Sequence, residues 1–470
     1  MKDRKKIVIL GAGPSGLSVA WELSKKKGFD VTLLERGWTV GGLAQTITHD
    51  GLRFDIGPHR LSPQLPEIVD AVKALLGDDL LTRENIHGVY LHDSFYHYPP
   101  GLKDFLRPAS IKATFLFGLS WAAARIKDVL TSSDSSDHSF DLLLKRYFGK
   151  KFYNEVIVPM LFKVWGTEDL HHEFAKIRFE LPTFSRMLKR IFIKSSKVND
   201  DLFYYPKNGF GQIWDSVADH VTKNGHKVTN SVQIKEIQAS NLSGPFLVKY
   251  VKDGKQGEIE ADTLVSTISN KDLLAYLKGS GLVEPLIEKM PAFGSRTLRL
   301  GIVAVKSFNL PARVIIFPEE KYIFNRISEM NHFADLGYPE GQSILMIDVI
   351  CDSGGKIDKT NEDEFNRLLL DSFLSLNWCT EADVKKVFSL RFPGAYPVLT
   401  EERYEAQVAA EEFFKGSELL LCGREASSDY NNAHNAVGKG FITARFIAGE
   451  IEYDEYKTSS TTMGRLPIQD

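Results

Sequence analysis

The sequence is short of cysteine, of long apolar runs and of charge imbalance, and each shortage narrows what the protein does. Only three cysteines occur in 470 residues, Cys351, Cys379 and Cys422. They are widely spaced and form no CxxC, which argues against a disulfide framework and for buried or free thiols in a reducing compartment. Neither the cysteines nor the histidines show metal-ligand spacing, so no metal is expected. A formal net charge of −3 gives no reason to expect nucleic acid as a partner. The stretch to weigh as a membrane segment, Ala113 to Ala124, has twelve residues between Lys112 and Arg125, whereas a spanning helix needs about twenty. Two readings fit it: a buried helix, or a helix in peripheral membrane contact with Phe115, Phe117 and Trp121 in the interface. An apolar strand starts at about the sixth residue and leaves no room for a leader, so the expectation is a cytoplasmic protein.

What is present begins at once. Ile7 to Leu10 is a short apolar run suited to a buried parallel strand. GAGPSG follows, with Gly11, Gly13 and Gly16 in the G-x-G-x-x-G arrangement and Pro14 and Ser15 between them. Gly11 permits a tight turn, Gly13 lets backbone approach a pyrophosphate, and Gly16 lets a helix pack closely on the strand. The helix N-terminus then offers unpaired N–H groups and the positive end of its dipole to phosphates. Val31 to Leu34 reads as the second strand. Glu35, followed by Arg36, ends it nineteen residues after Gly16, where a carboxylate accepts hydrogen bonds from a ribose. Strand, glycine turn, helix, strand and acid in this order predict a dinucleotide site.

Elements of this kind recur. A helix (Ile213 to Lys223), a strand (Lys227 to Ile237) and an apolar strand (Ala261 to Ser269) form a second set; a strand (Leu419 to Cys422), a loop and a helix from about Val437 form a third. Between them lie a mostly helical stretch, about 64–200, and a mixed stretch, about 276–395, whose RTLRLGIVAV, RVIIF and SILMIDVI read as strands of a second sheet. The fold class expected is α/β: a discontinuous Rossmann-like cofactor domain (1–63, 201–275, 396–452) interleaved with an α+β substrate domain (a helical cap at 64–200 and a second sheet at 276–395). TSSDSSDHS, Thr131 to Ser139, reads as an exposed loop. The polar tail, 453–470, is expected to be disordered beyond Tyr456.

Gly41 and Gly42, six residues past Glu35 and followed by Leu43, distinguish among dinucleotides. This spacing resembles the FAD fingerprint of the amine oxidase and protoporphyrinogen oxidase-like flavoproteins, whose glycine pair passes close to the pyrophosphate and ribityl chain. That family often has Arg two residues before the pair, where this chain has Thr39. The interleaved order resembles the same family over nearly the whole length. GLRFDIGPHRLSP resembles its Gly–x–His segment over the flavin, while KVWG (Lys163 to Gly166), AYPV (Ala395 to Val398), and Gly423–Arg424 followed by YNN (Tyr430 to Asn432) look most like UDP-galactopyranose mutases.

The resemblance implies non-covalent FAD, held by the residues of the glycine turn, Glu35, Arg36, Gly41, Gly42, Leu43, Gly57, Val232, Gly423, Arg424, His434, Ala436 and Val437. His59 would tune or shield the flavin, or merely hydrogen-bond backbone. Arg178 and Arg326 are similar in position to two arginines that hold a nucleotide-sugar diphosphate, work suited to a planar guanidinium; the alternative for each is a buried salt bridge. Tyr396 and Tyr430 resemble tyrosines near that diphosphate. Several departures matter. Pro58 stands where the mutases usually have Gly, and YNNAHNA replaces a YNN-x-Asp-His pattern, so His434 takes the acidic position. Amine oxidases place a lysine on the strand around 296–300, where this chain has Arg296 and Arg299. No second GxGxxG follows a strand, so a separate electron donor or acceptor is implied. The expected function is an FAD-dependent oxidoreductase that removes a hydride from a small or medium organic substrate. The alternative is a mutase-like isomerase that uses reduced FAD on an anionic, nucleotide-linked sugar.

Overall fold

A computed structural model describes residues 4–98, 111–130, 144–145, 148–168, 170–171, 202–290, 294–306, 310–427 and 432–466. The chain forms two compact units. The first comprises Met1–Leu81, Tyr204–Ala292 and Glu401–Asp470, and the second Thr82–Phe203 and Phe293–Thr400. The chain therefore passes between units at 81/82, 203/204, 292/293 and 400/401. The helix Pro66–Leu76 belongs to the first unit because it lies against the helices Gly211–Lys223 and Ala433–Ile447.

The first unit is built on a five-stranded sheet in the order Leu419–Leu421, Thr263–Ser266, Lys5–Leu10, Phe29–Leu34, Lys227–Thr229. Every neighbouring pair is parallel, with Ile9 opposite Leu33 on one side and Val265 on the other. These strands are short and nearly all apolar because both faces are covered. The helix Pro14–Ser24 packs on Gly211–Lys223 and Ala433–Ile447. Elsewhere Val8, Leu10, Leu264 and Leu419 join Ile237, Phe246, Leu273 and Phe414 in one buried cluster, built partly from an antiparallel three-stranded sheet, Val232–Ala239, Phe246–Lys252 and Lys255–Ala261.

Two elements of this unit differ from the sequence reading. The strand expected over 227–237 is two strands in different sheets, Lys227–Thr229 and Val232–Ala239, separated by Ser231 at φ +59°. The expected disordered tail contains a helix, Tyr453–Gly464. Its apolar stripe explains it: Tyr456 stacks on Phe446 with centroids 4.7 Å apart, and Asn435 Nδ2 donates to the Met463 carbonyl at 2.8 Å.

The second unit holds a seven-stranded sheet in the order Val384–Pro397, Ser295–Lys306, Gln342–Asp352, Arg326–Glu329, Val314–Ile316, His87–Leu91, Ser94–Tyr98. Its core gathers Val303, Ile315, Phe317, Phe324, Leu345, Ile347, Phe365 and Phe373. The last two strands fall in the stretch read as mostly helical. They pair through a two-residue turn in which His92 and Asp93 both have positive φ, at 51° and 56°. That is the primed hairpin geometry, here without the Asn-Gly signature that would have announced it.

The apolar run forms the helix Ile111–Leu130. Burial, the first reading, holds for one side only. Phe117 meets Phe152 edge-on at 5.4 Å, while Phe115, Leu119 and Ile126 are 64%, 53% and 60% exposed. Among the described residues, no helix is long and apolar enough to cross a membrane. The loop 131–139 lies outside the described residues.

Candidate functional site

The first unit gathers the cofactor candidates at the ends of its parallel strands. Gly11 turns the chain at φ +99°, its N–H bonded to the Leu34 carbonyl at 2.8 Å. A Cβ on Gly16 would stand 2.1 Å from the Gly11 carbonyl oxygen, so this position requires glycine for the helix to close on the turn. Gly13 differs, since a Cβ there would meet nothing within 4 Å. The helix beyond it starts with Pro14, and Gly13 supplies no side-chain cap. The N–H groups of the first turn and the dipole's positive end are therefore open over the free face of Gly13, the geometry that suits an anion.

Glu35 reaches back across this turn. Its carboxylate accepts from the Ala12 N–H at 2.7 Å and the Gly37 N–H at 2.6 Å, so the side chain is held at the turn. Val232 is buried and donates its N–H to the Glu35 carbonyl at 2.8 Å, whereas Arg36 is exposed. Gly41 donates to the Ala12 carbonyl at 2.7 Å and has φ +100°; a Cβ there would sit 2.9 Å from Trp214 Cδ1. Gly42 lies against Gly13, its Cβ position 3.4 Å from the Gly13 Cα. The two glycine motifs, far apart in sequence, thus form one cradle. Trp214 locks it by donating Nε1 to the Ala44 carbonyl at 2.9 Å.

The segment after the hairpin Thr46–His49/Leu52–Asp55 closes one side. Gly57 N–H bonds the Asp55 carbonyl at 2.9 Å. His59 bonds the Leu43 carbonyl through Nε2 at 3.0 Å and stacks on Phe210 with centroids 5.1 Å apart, so its ring is tied to backbone. Asp55, which sequence reasoning passed over, is fully buried; it accepts from the Tyr205 hydroxyl, the Thr46 hydroxyl and the Phe210 N–H. Burial raises its pKa against the pull of those donors. Its signal in the sequence was an acid at the end of an apolar pair, FDIG.

On the far side, Gly423 follows the strand Leu419–Leu421, and a Cβ on it would stand 2.7 Å from Ser15 Oγ. Arg424 Nε lies 4.0 Å from Glu425, which also pairs with buried Arg403 at 3.4 Å. The helix Ala433–Ile447 begins with a reciprocal Asn432–Asn435 cap and buries Ala436 and Val437. It starts four residues earlier than the sequence suggested, because asparagines do the capping. In its first turn His434 is 5% exposed, and its Nδ1 has no hydrogen-bond partner among the described residues. Burial, reinforced by the nearby positive charge of Arg60, pushes its pKa down to about 4, so the imidazole is neutral. Lys439, another residue the sequence reading missed, is buried in the same helix and donates to Ser427 Oγ at 2.9 Å.

The remaining candidates lie in the second unit or outside the described residues. Arg178 and Tyr430 are outside them. Arg326 is paired with Asp348, which is wholly buried, its Nε 2.8 Å from Oδ2. Tyr396 stands opposite Arg296 in the sheet. Arg296 bonds the Phe162 and Lys163 carbonyls at 3.2 and 3.1 Å as well as Asp352. Arg299 lies 3.9 Å from the centroid of Phe365 and bonds the Thr360 carbonyl at 2.9 Å. In KVWG, Lys163 Nζ donates to the carbonyls of Phe317, Glu319 and Phe324 at 2.8, 2.6 and 2.9 Å, and burial lowers its pKa to about 8. The motif anchors a loop.

An open cradle at Gly13, an uncapped helix end and a carboxylate held at the turn fit a dinucleotide, and these features are those of a Rossmann-type domain. Residues 9–75 match the family model described as an NAD(P)-binding Rossmann-like domain. A 1-hydroxycarotenoid 3,4-desaturase of Flavobacterium sp. (strain P99-3) is 39% identical over 265 residues, 50% of this chain and 52% of that protein. Mitochondrial protoporphyrinogen oxidase of Nicotiana tabacum is 25% identical over 190 residues, 37% of this chain and 36% of that protein. These matches span about half or less of the relatives' length. A solved structure of reduced UDP-galactopyranose mutase superposes with a TM-score of 0.81 at 19% identity, covering 98% of this chain and 99% of that one; at that identity the likeness is one of fold. The chain is thus similar in part of its sequence to desaturases and oxidases and, over nearly its whole length, in fold to a UDP-galactopyranose mutase.

Proposed function

We propose that the protein is an FAD-dependent oxidoreductase that removes a hydride from a small or medium organic substrate. The observation that carries this is the cradle formed by Gly13 and the Gly41–Gly42 pair beside Glu35, in a chain whose sequence relatives are desaturases and oxidases. When bound, FAD supplies the two-electron acceptor. The protein's share is to bind, orient and polarise. The first turn of Pro14–Ser24 takes the pyrophosphate, Glu35 exchanges a backbone hydrogen bond for the ribose hydroxyls, and His59 holds the loop from Leu43 in place. Substrates of the relatives suggest a polyene or porphyrinogen as the first compounds to try. The sequence has no second dinucleotide turn, which supports a separate electron acceptor.

The exposed face of Ile111–Leu130 supports peripheral contact with a membrane, through which apolar substrates would arrive. From 101 to 151 the sequence has nine Lys and Arg against five Asp, a charge suited to anionic lipid. The free cysteines are in keeping with a cytoplasmic location.

Anaerobic mixing tests the reaction. The purified protein should be yellow, release FAD on acid precipitation, and bleach with an organic hydride donor. A second reading, a mutase acting on a nucleotide sugar, is supported by the fold likeness along the whole chain. Conversion of a sugar nucleotide by prereduced protein, without net flavin oxidation, would replace the first reading with the second.

A further inference from the structure

The most conspicuous unexplained group in the first unit is the ring of His434. A buried polar atom without a partner costs about 1–3 kcal/mol and calls for an explanation. Here the atom belongs to the first turn of a fifteen-residue helix whose own N-terminus is capped by Asn432 and Asn435. The cap accounts for the backbone and leaves the imidazole unused. The ring lies in the field of Arg60, which follows His59 on the segment bonded to Leu43, beside the glycine pair.

We infer that Nδ1 of His434 is a hydrogen-bonding contact for the flavin, and that Arg60 and His434 together bias the bound cofactor toward its reduced form. This rests on the FAD reading above and deepens it. The physical argument concerns charge. A hydride taken up by bound FAD would carry two electrons and one proton, leaving the substrate to shed a proton, so the ring would gain one negative charge unless that or another proton reached it. A positive guanidinium nearby and an imidazole that carries its proton on Nδ1, and so donates, in a site of low dielectric would stabilise that charge more than they stabilise the neutral oxidised ring. An aspartate at 434 would oppose it. His434 and Arg60 are positioning residues in this scheme, since neither takes part in bond making.

The experiment measures FAD affinity and midpoint potential in FAD-loaded wild-type, His434→Asn, His434→Leu, His434→Asp and Arg60→Gln proteins. The potential comes from anaerobic titration against a reference dye and needs no substrate. His434→Leu should weaken FAD about fivefold through the lost hydrogen bond, and His434→Asn, which keeps a donor and an acceptor, should stay close to wild type. His434→Asp and Arg60→Gln should each reduce the preference for reduced over oxidised cofactor about tenfold, which is ~30 mV for a two-electron couple. Should the leucine variant fail to fold, the asparagine and aspartate pair carries the comparison. Midpoints unmoved in both the aspartate and the Arg60 variants would overturn the inference, whatever the affinities. A wild-type protein without flavin would instead remove the cofactor reading itself.

Discussion

At the residue scale the glycines of the first turn are not equivalent, and the difference is testable. Gly13 has φ −75° and open space at its Cβ position, whereas Gly16 has the Gly11 carbonyl oxygen 2.1 Å away. Gly13→Ala should fold within about 0.5 kcal/mol of wild type yet lose FAD affinity by about tenfold or more, as its methyl enters the pyrophosphate space. Gly16→Ala should give little folded protein. Urea melts and a fluorescence titration of FAD separate the two. Arg326 poses a different question. Asp348 is wholly buried, so Arg326→Ala strands a carboxylate and should cost about 3–5 kcal/mol. A hydrophobic replacement of both partners should recover most of that loss. If Arg326→Ala keeps its stability and loses only ligand-induced flavin spectral changes, the arginine serves an anion instead. His434 predicts a pH effect. Its folded pKa, about 4, lies below the ordinary 6.5, so between these values the unfolded chain binds the proton and the folded one does not. Stability should therefore fall as pH drops through 6.5 toward 4, by up to about 3 kcal/mol. Comparing urea midpoints at pH 7 and pH 5, His434→Asn should show a visibly smaller loss.

At the scale of elements, two helices differ in what holds them. The C-terminal helix Tyr453–Gly464 is polar in composition and forms through tertiary contacts with the helix before it. Tyr456 stacks on Phe446, and the bare face of Gly438 receives Met463, whose Sδ would lie 2.5 Å from a Cβ there. The helix Ile111–Leu130 is the reverse case, apolar in composition yet exposed along Phe115, Leu119 and Ile126. Burying three such side chains in a lipid interface is worth about 1.5–3 kcal/mol each at most. The protein should therefore float with anionic vesicles at low salt, and Phe115→Ser/Leu119→Ser/Ile126→Ser should abolish flotation while leaving the FAD spectrum unchanged. Equal flotation of that variant would remove this helix as the contact.

At the scale of the whole molecule, the chain places dinucleotide residues in one unit and Arg326 and Tyr396 in the other. The arginines where an amine oxidase has lysine are spent on structure, Arg296 at the end of the helix Val158–Trp165 and Arg299 over Phe365. A simple amine should accordingly leave the flavin oxidised under anaerobic mixing, while a polyene or porphyrinogen donor should bleach it. Rapid bleaching by an amine alone would contradict that assignment.

The parallel strands, the glycine turn and Glu35 were legible in the sequence because they answer to local rules. Apolar runs have a length, a turn with positive φ needs glycine, and an acid ends its strand at a fixed distance from the turn. The interleaving of two units was legible for the same reason, as repeated strand–helix signals separated by a second character. The hairpin at His92–Asp93, the split at Ser231 and the C-terminal helix were not, since each is stabilised by partners remote in the chain. Burial decided the rest. Only the folded structure shows that Asp55 is enclosed, that Lys163 and Arg299 are used up on carbonyl oxygens, and that His434 is left with a nitrogen to spare, because a side chain's electrostatic role depends on which atoms surround it and the sequence names those atoms without placing them.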